Sequence, residues 1–450
     1  MKGDLDNIAV RWGSVEGRRH ANFRVRQREE IGLASLSSPP YPPTMPAAAP
    51  LSAEAPPRGT ALEVLAAFLR LGVTSFGGPI AHMGYFRREF VERRRWLSEA
   101  QFSQLLAMSQ FLPGPASSQL GFGIGLLRAG GIGALAAFLA FTLPSALLLF
   151  AFSEASDLLT GALAQSALHG LKLAAVAIVA HGVVRMARTM TPDATRATIA
   201  LLVMVLTLAL RAPWMQLVAI TIGAVTGALL VRTPTKATDD TLAVRYGRVS
   251  LAFAIVLLAL GLFVAVAWPT RAPVLGSVFA AFLKAGSMVF GGGHVVLPLL
   301  EESVVTPGWV SHDAFLAGYG AAQVIPGPMF SLAAFLGAQV PTGAAPALGA
   351  LTATLSLFAP GFLLLIIALP TWSRLTAMPR ALHAVAGVNA AVVGLLAAAL
   401  IDPIGRAAVR GFADAGIALV AITLLWNERR SSLWAAGWCV VAAVGLGMLS

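Results

Sequence analysis

The sequence predicts an all-α, polytopic helical membrane protein of two homologous halves in inverted topology, each half carrying broken or re-entrant helices. Three observations lead there. First, 57% of the 450 residues are hydrophobic and only 12% charged, whereas about a quarter of a soluble domain is charged. Second, the apolar residues run unbroken for lengths near the roughly 20 residues that span a bilayer, without the alternation of barrel strands. Third, one unusual set of motifs occurs twice. F-L-R-L-G-V-T-S-F-G-G (Phe68 to Gly78), W-L-S-E-A-Q-F from Trp96 and Q-F-L-P-G-P ending at Pro115 return as F-L-K-A-G-S-M-V-F-G-G (Phe282 to Gly292), W-V-S-H-D-A-F from Trp309 and Q-V-I-P-G-P ending at Pro328. The offset is 214 positions for the first block and 213 for the later ones.

In chain order, residues 1–58 mix eight Lys/Arg with six Asp/Glu in Pro-rich low complexity and contain no apolar core of a signal peptide. They are expected to form a disordered, basic N-terminal tail, or an over-long start. The first repeat is expected over 59–231, a cytoplasmic linker with one orienting span over 232–271, and the second repeat over 272–450. Spanning helices are expected at about 131–152, 163–184, 196–211, 214–231, 250–268, 344–369, 381–400, 407–426 and 433–449. The runs 61–78, 101–127, 275–292 and 313–340 are interrupted by Gly-Gly or Pro-Gly-Pro and are expected to break. The single Cys439 excludes a disulfide framework and a thiolate metal site; no metal and no cofactor is expected. A net charge of +11 is not a nucleic-acid footprint here, because the basic residues cluster at the ends of spans.

That clustering sets the topology. Arg87, Arg88, Arg93, Arg94 and Arg95 follow the first block, whereas the matching connector 294–312 has no Lys or Arg and contains Glu301 and Glu302. The first is expected on the cytoplasmic side and the second outside, with only Arg406 and Arg410 on the wrong side, offset by Asp402 and Asp414. Inverted repeats of this kind place a substrate site near the midplane, at the repeat interface.

The candidate site residues suit an anion. Arg70 and Lys284 hold equivalent positions in apolar helices, where a cation costs about 2.5–3.5 kcal/mol on insertion scales; snorkelling to an interface is the alternative. No Asp or Glu lies near the centre of an expected span. Gly77 and Gly78, with Gly291 and Gly292, let the backbone leave the helix, and Pro113-Gly114-Pro115 and Pro326-Gly327-Pro328 force it to. Helices resuming near Ser117 and Ser331 would offer free amides and a positive dipole end. Ser75, Ser117 and Ser118 add hydroxyls. Gln110 and Gln323, three residues before each Pro-Gly-Pro, either contact substrate or hold the broken backbone. His82 is a further titrating or anion-contacting candidate, while His169 and His383, in matching Ala-Leu-His triplets, mark helix starts near an interface.

The pattern F-x-R-L-G-x-x-S-F-G-G-P, E-F-V-x-x-R-x-W-L, Q-x-L-P-G-P, then F-G-G-G and Q-x-I-P-G-P resembles the long-chain chromate transporters over about residues 60–449. The resemblance implies a multi-pass carrier of the bacterial inner membrane that exports chromate and confers resistance, with lipid and an oxyanion as partners. The second copy departs from the first at Lys284, Gly293 and Phe330, where Arg70, Pro79 and Ser117 stand. A sulfate or other tetrahedral-oxyanion permease and a non-transporting scaffold remain open, as does assembly into a homo-oligomer. An enzyme is disfavoured: the chain lacks H-E-x-x-H, G-x-S-x-G and paired intramembrane aspartates.

Overall fold

The computed structural model describes residues 59–449 apart from 157–160, 211–214, 233–241, 243–246, 269–271, 291–294, 373–374, 376–377 and 427–431. The expected tail, most of the linker and the pair Gly291 and Gly292 lie outside the described residues. Among those described, every regular element is helical.

The first half opens with two half-length hairpins. α1 (Ala61–Thr74) begins at Thr60, whose hydroxyl accepts from the Glu63 amide, and ends at Ser75. The chain turns at Gly77 and returns as α2 (Gly78–Phe86), which widens into a π-helical turn over Arg87–Arg93. α3 (Glu99–Phe111) starts at a reciprocal Ser98–Gln101 cap and stops before Pro-Gly-Pro. α4 (Ala116–Ser156) then bends sharply at Ala129 and Gly130, which folds 131–156 back along 116–128 with the Gly125 and Gly133 backbones in close approach. The 14-residue α1 and 13-residue α3 are about 20 Å long, two-thirds of a hydrocarbon core about 30 Å thick. Each alone is too short to cross it.

The open ends of these hairpins are tied together. The Gly59 amide donates to Arg128 O at 3.0 Å, Arg128 pairs with Glu63 at 3.1 Å, and Trp96 Nε1 donates to Glu63 at 3.1 Å. The Arg94 and Arg128 guanidinium groups lie over the Trp96 ring. In the π turn, Arg87 forms exposed pairs with Glu92 and Glu99, whereas Arg93 pairs with the buried carboxylate of Glu89.

α5 (Ala162–Met190), α6 (Ala194–Leu210) and α7 (Met215–Leu230) complete the first half, and α8 (Arg248–Ala267) follows alone. The second half repeats the plan: α9 (Leu275–Ser287), α10 (Val296–Leu300) with its π turn Glu301–Val305, α11 (His312–Val324), a 3-10 turn Met329–Ser331 leading into α12 (Leu332–Gln339), α13 (Pro346–Ala368), α14 (Pro379–Ala399), α15 (Phe412–Trp426) and α16 (Ser432–Leu449). Gly337 meets Gly349 as Gly125 meets Gly133. At the far end of α4, Gln339 Nε2 donates to Ser153 Oγ at 3.0 Å. The second pair of hairpins therefore enters from the end opposite the first pair, and the halves are inverted.

Among the described residues, five helices are long and apolar enough to cross a membrane: Ala116–Ser156, Ala162–Met190, Val249–Ala267, Pro346–Thr371 and Pro379–Ala408. The other expected spans form shorter apolar helices; α6 and α7, at 17 and 16 residues, reach about 25 Å. The expected span 407–426 starts later than its apolar run, because the chain is extended at Val409 and α15 begins only at Phe412. Arg406 pairs with Asp402 at 2.7 Å, and Asp414 accepts from the Arg410 backbone amide. His383 stands in the first turns of α14 as expected, whereas His169 lies two turns into α5 and bonds Asp414 at 2.9 Å.

The two halves interlock. Gly223 and Gly227 of α7 press on Gly387 of α14, and Gly170 of α5 presses on the α16 backbone at Cys439 and Val440, close approaches that only small residues permit. Between α4 and α13, Phe122 stacks on Phe362 at 4.4 Å and Phe138 sits against Phe358 and Phe362.

Candidate functional site

The breaks of one half meet the breaks of the other. The Gly327 amide, in the second Pro-Gly-Pro, donates to Ser75 O at 3.0 Å, and the Gly114 amide, in the first, donates to Val289 O at 2.7 Å. Ser75 and Val289 are 214 positions apart and Gly114 and Gly327 213, so the two hydrogen bonds are images of each other under the repeat. Each crossing also needs glycine. Gly114 has φ +129° and Gly327 φ +105°; a Cβ on Gly114 would stand 2.7 Å from Gly361 Cα, and one on Gly327 2.9 Å from Ser145 Oγ.

The sequence-predicted residues divide into those at the crossings and those beside them. Ser75 and His82 are fully buried, and His82 Nε2 lies 3.2 Å from Ser75 O. Gly77 and Gly78 both have positive φ, and Gly77 starts α2 from a left-handed conformation. Pro115, Ser117, Gly327 and Pro328 are buried, and Pro113 and Pro326 partly so. Arg70 and Lys284 are exposed, each a little more than a turn before its break; Lys284 is the one exposed residue between 277 and 286. The two glutamines differ. Gln323 is buried: its side-chain amide donates to Met329 Sδ, and its main-chain carbonyl accepts from Ser432 Oγ. Gln110 is exposed, with a 3.7 Å contact to Met83 Sδ.

Sequence reasoning did not single out Gln119, Thr142 and Ser145. Gln119 Nε2 donates to both Pro113 O (3.0 Å) and Gly361 O (2.9 Å), lacing the first Pro-Gly-Pro to α13. Ser145 and Ser331 share a 2.6 Å hydrogen bond across the other crossing. Ser75 Oγ, His82 Nδ1, Ser118 Oγ, Gln119 Oε1 and Thr142 Oγ1 are buried without a partner. Their signal in sequence is faint, since Thr142 and Ser145 flank a proline inside a long apolar run.

A separate cavity of about 410 Å³ opens among α6, α7, α10, α11 and α14, lined by Gln216, Glu301, Glu302, His312 and Asp402 among others. Glu301 pairs with His312 at 3.0 Å. Burial pushes the Glu302 carboxyl, in the connector after α10, up to about 7, against the opposing field of Lys284. Among the described residues no cluster of His, Cys, Asp and Glu could hold a metal ion.

Inverted halves, long apolar helices and half-helices whose breaks meet at one level define a multi-pass helical membrane protein with the plan of secondary carriers. The family described as chromate transporter matches residues 62–231 and 276–448, one match per half, and the chain belongs to that family. It is 32% identical over 363 residues to the "Probable chromate transport protein" of Synechococcus elongatus, covering 80% of this chain and 88% of the relative. It is 32% identical to the "Chromate transport protein" of Pseudomonas aeruginosa (77% of this chain, 82% of the relative). To the protein of the same name from Cupriavidus metallidurans it is 30% identical over 421 residues (91% and 99%). No solved structure matches the chain.

Proposed function

We propose that this protein is a secondary carrier that exports chromate from the cytoplasm across the bacterial inner membrane and so confers chromate resistance. The reading rests on the family and on one observation: the reciprocal hydrogen bonds from Gly114 to Val289 and from Gly327 to Ser75, which bring the broken helices of both halves together. An oxyanion at that level meets helix amides and hydroxyls rather than carboxylates. Arg70 and Lys284 neutralise charge on the approaches from the two ends. Alternating access is then a rocking of one half against the other, with the two crossings as its contacts. An inside-negative potential favours expelling an anion by about 2.3 kcal/mol per charge per 100 mV, so no coupling ion is required.

Chromate accumulation in everted membrane vesicles tests this, wild type beside Arg70→Ala and Lys284→Ala, with insertion checked for each and sulfate as competitor. Wild-type uptake that falls in both variants is expected. Inserted wild-type protein without uptake would refute the export assignment, and inward sulfate flux in its place would make the protein a permease.

A further inference from the structure

We propose, resting on the carrier reading above, that the oxyanion is seated by neutral donors of the first half alone. The donors are the hydroxyls of Ser75, Ser118 and Thr142 and the first-turn amides of α4, with the Ser145–Ser331 pair closing the second half over them.

The first ground is an asymmetry in an otherwise symmetric arrangement. Among the described residues, five buried polar side-chain atoms at the breaks have no partner, on Ser75, His82, Ser118, Gln119 and Thr142, and all five belong to the first half. Each of these residues is at most 3% exposed. Leaving one such group unsatisfied costs about 1–3 kcal/mol, so a cluster of them marks a place where a partner comes and goes. The described residues of the second half do not repeat it. Val289 stands at the position of Ser75, Leu332 at that of Gln119 and, counted from Pro144 and Pro360, Phe358 at that of Thr142. Ser118 has a hydroxyl counterpart in Ser331, but Ser331 is already bonded to Ser145. The residue that would do the same for Ser118 is Gly361, which has no side chain to offer.

The second ground is position. The α4 hairpin closes where Gly125 meets Gly133, and counting equal steps away from that contact brings residue 118 level with residues 140–142. Ser75 joins the same level, because Gly72, one turn earlier, is pressed against the Ala140 and Phe141 carbonyls. His82 bonds Ser75 O and packs edge-on against Phe141. The Gln119 amide donates to Pro115 O as the first intrahelical bond of α4, so the amides of 116–118 precede it and carry the positive end of the helix dipole. Helix start, hydroxyls and break therefore lie at similar levels, near the depth where the halves cross.

The third ground separates contact from positioning. Both Nε2 protons of Gln119 are spent on Pro113 O and Gly361 O, so its free atom is an acceptor, which cannot hold an anion; Gln119 positions the break. Arg70 and Lys284 stand on exposed sides of α1 and α9, away from the buried hydroxyls. A seat of hydroxyls and amides reads a tetrahedron of oxygens and not its central atom, so sulfate and molybdate compete with chromate. It also holds a dianion without full charge compensation, and a carrier's ligand must be able to leave.

Everted vesicles containing full-length Ser118→Ala, Thr142→Val or Ser331→Ala protein test the proposal. Loss of one neutral hydrogen bond to the ligand is expected to raise the chromate KM about fivefold to tenfold in Ser118→Ala and in Thr142→Val. Ser118→Thr, which keeps the hydroxyl, retains the wild-type KM. Ser331→Ala changes the maximal rate and leaves KM within about twofold, because it loosens the closure and not the seat. Protection of the purified protein by chromate against thermal unfolding provides a readout independent of transport, and Ser118→Ala should lose it. Unchanged KM and unchanged protection in both first-half variants, with a KM increase in Arg70→Ala or Lys284→Ala, would overturn the neutral seat while leaving the carrier intact. Absence of chromate uptake by wild type would instead remove the carrier reading itself.

Discussion

Replacing Gly114 by alanine tests whether the crossing of the halves is built as tightly as its geometry requires. Two costs add. At φ +129° an alanine is in a region that L residues rarely occupy, about 1–3 kcal/mol. Its Cβ would also stand 2.7 Å from Gly361 Cα and 2.9 Å from Gln119 Nε2; the first contact is backbone and cannot swing aside, which adds about 1–3 kcal/mol of overpacking. Together about 2–6 kcal/mol opposes the crossed arrangement, at least about 30-fold in its population. Gly131→Ala is the control, since its Cβ would meet nothing within 4 Å and its φ is unremarkable. Chromate uptake into everted vesicles and the apparent Tm in detergent should both fall for Gly114→Ala and stay near wild type for Gly131→Ala. Gly327→Ala should resemble Gly114→Ala but be milder, because its obstacle is the Ser145 hydroxymethyl group. If Gly114→Ala matched wild type in rate and Tm, the reciprocal hydrogen bonds would not be the contact through which the halves work.

Three further outcomes follow from other parts of the molecule. The native protein holds the Glu302 proton up to about 7, whereas an ordinary carboxyl releases it near 4.5; the folded state binds more protons between those values, so stability falls as pH rises through the window. Thermal unfolding against pH should lose that slope in Glu302→Gln, and Lys284→Ala should move its upper edge higher. The Lys172 hydrogen bond, 2.7 Å long, holds the Asp313 carboxyl below its usual range; the stability this gives is present above the ordinary carboxylate range and lost as pH falls through the lowered value. Lys172→Met should therefore shift the acid limb of the unfolding profile upward, and an unmoved limb would disprove the pairing. Gly387→Val would drive methyl groups into Gly223 O and the Gly227 backbone, costing about 1–3 kcal/mol, read as a lower Tm with α7 and α14 loosened in hydrogen exchange.

The paired motifs made the breaks legible, because proline and glycine act on their own backbone wherever the chain goes. Their spacing also made the pairing of Arg70 with Lys284 and of Gln110 with Gln323 visible. What spacing does not carry is the direction a side chain takes. Gln323 turns inward to Met329 while Gln110 faces out, and both cations stand on exposed faces although a cation in an apolar run is equally readable as buried. Gln119, Thr142 and Ser145 escaped notice for another reason. They gain meaning only when the bend at Gly130 folds α4 on itself and α13 arrives from the other half, a contact 242 positions away for Gln119 and Gly361. The tie of Glu63 to Arg128 and Trp96 is of the same kind, since Glu63 precedes the first repeated block, Arg128 follows the last, and only the fold brings them to Trp96.

The two crossings are equal in backbone and unequal in side chains, and that difference bears on how a duplicated carrier works. Were both crossings alike, a substrate would meet two equivalent half-sites and rocking would exchange one for the other. Here one crossing is latched by hydroxyls from both halves, and the other has a glycine where the latch would be and Gln119 lacing its backbone. Motion that breaks the Ser145–Ser331 bond at one crossing leaves the Gln119 lacing at the other intact. On the proposed carrier reading, the latched crossing would act as the gate and the laced one as the pivot. A double substitution distinguishes the roles: Ser145→Ala with Ser331→Ala should alter rate and preserve the fold, whereas Gln119→Leu, which removes two backbone tethers at the pivot, should lower the Tm even where the gate is untouched. Equal loss of Tm in both would mean that neither crossing is specialised, and that the inequality of their side chains has no mechanical consequence.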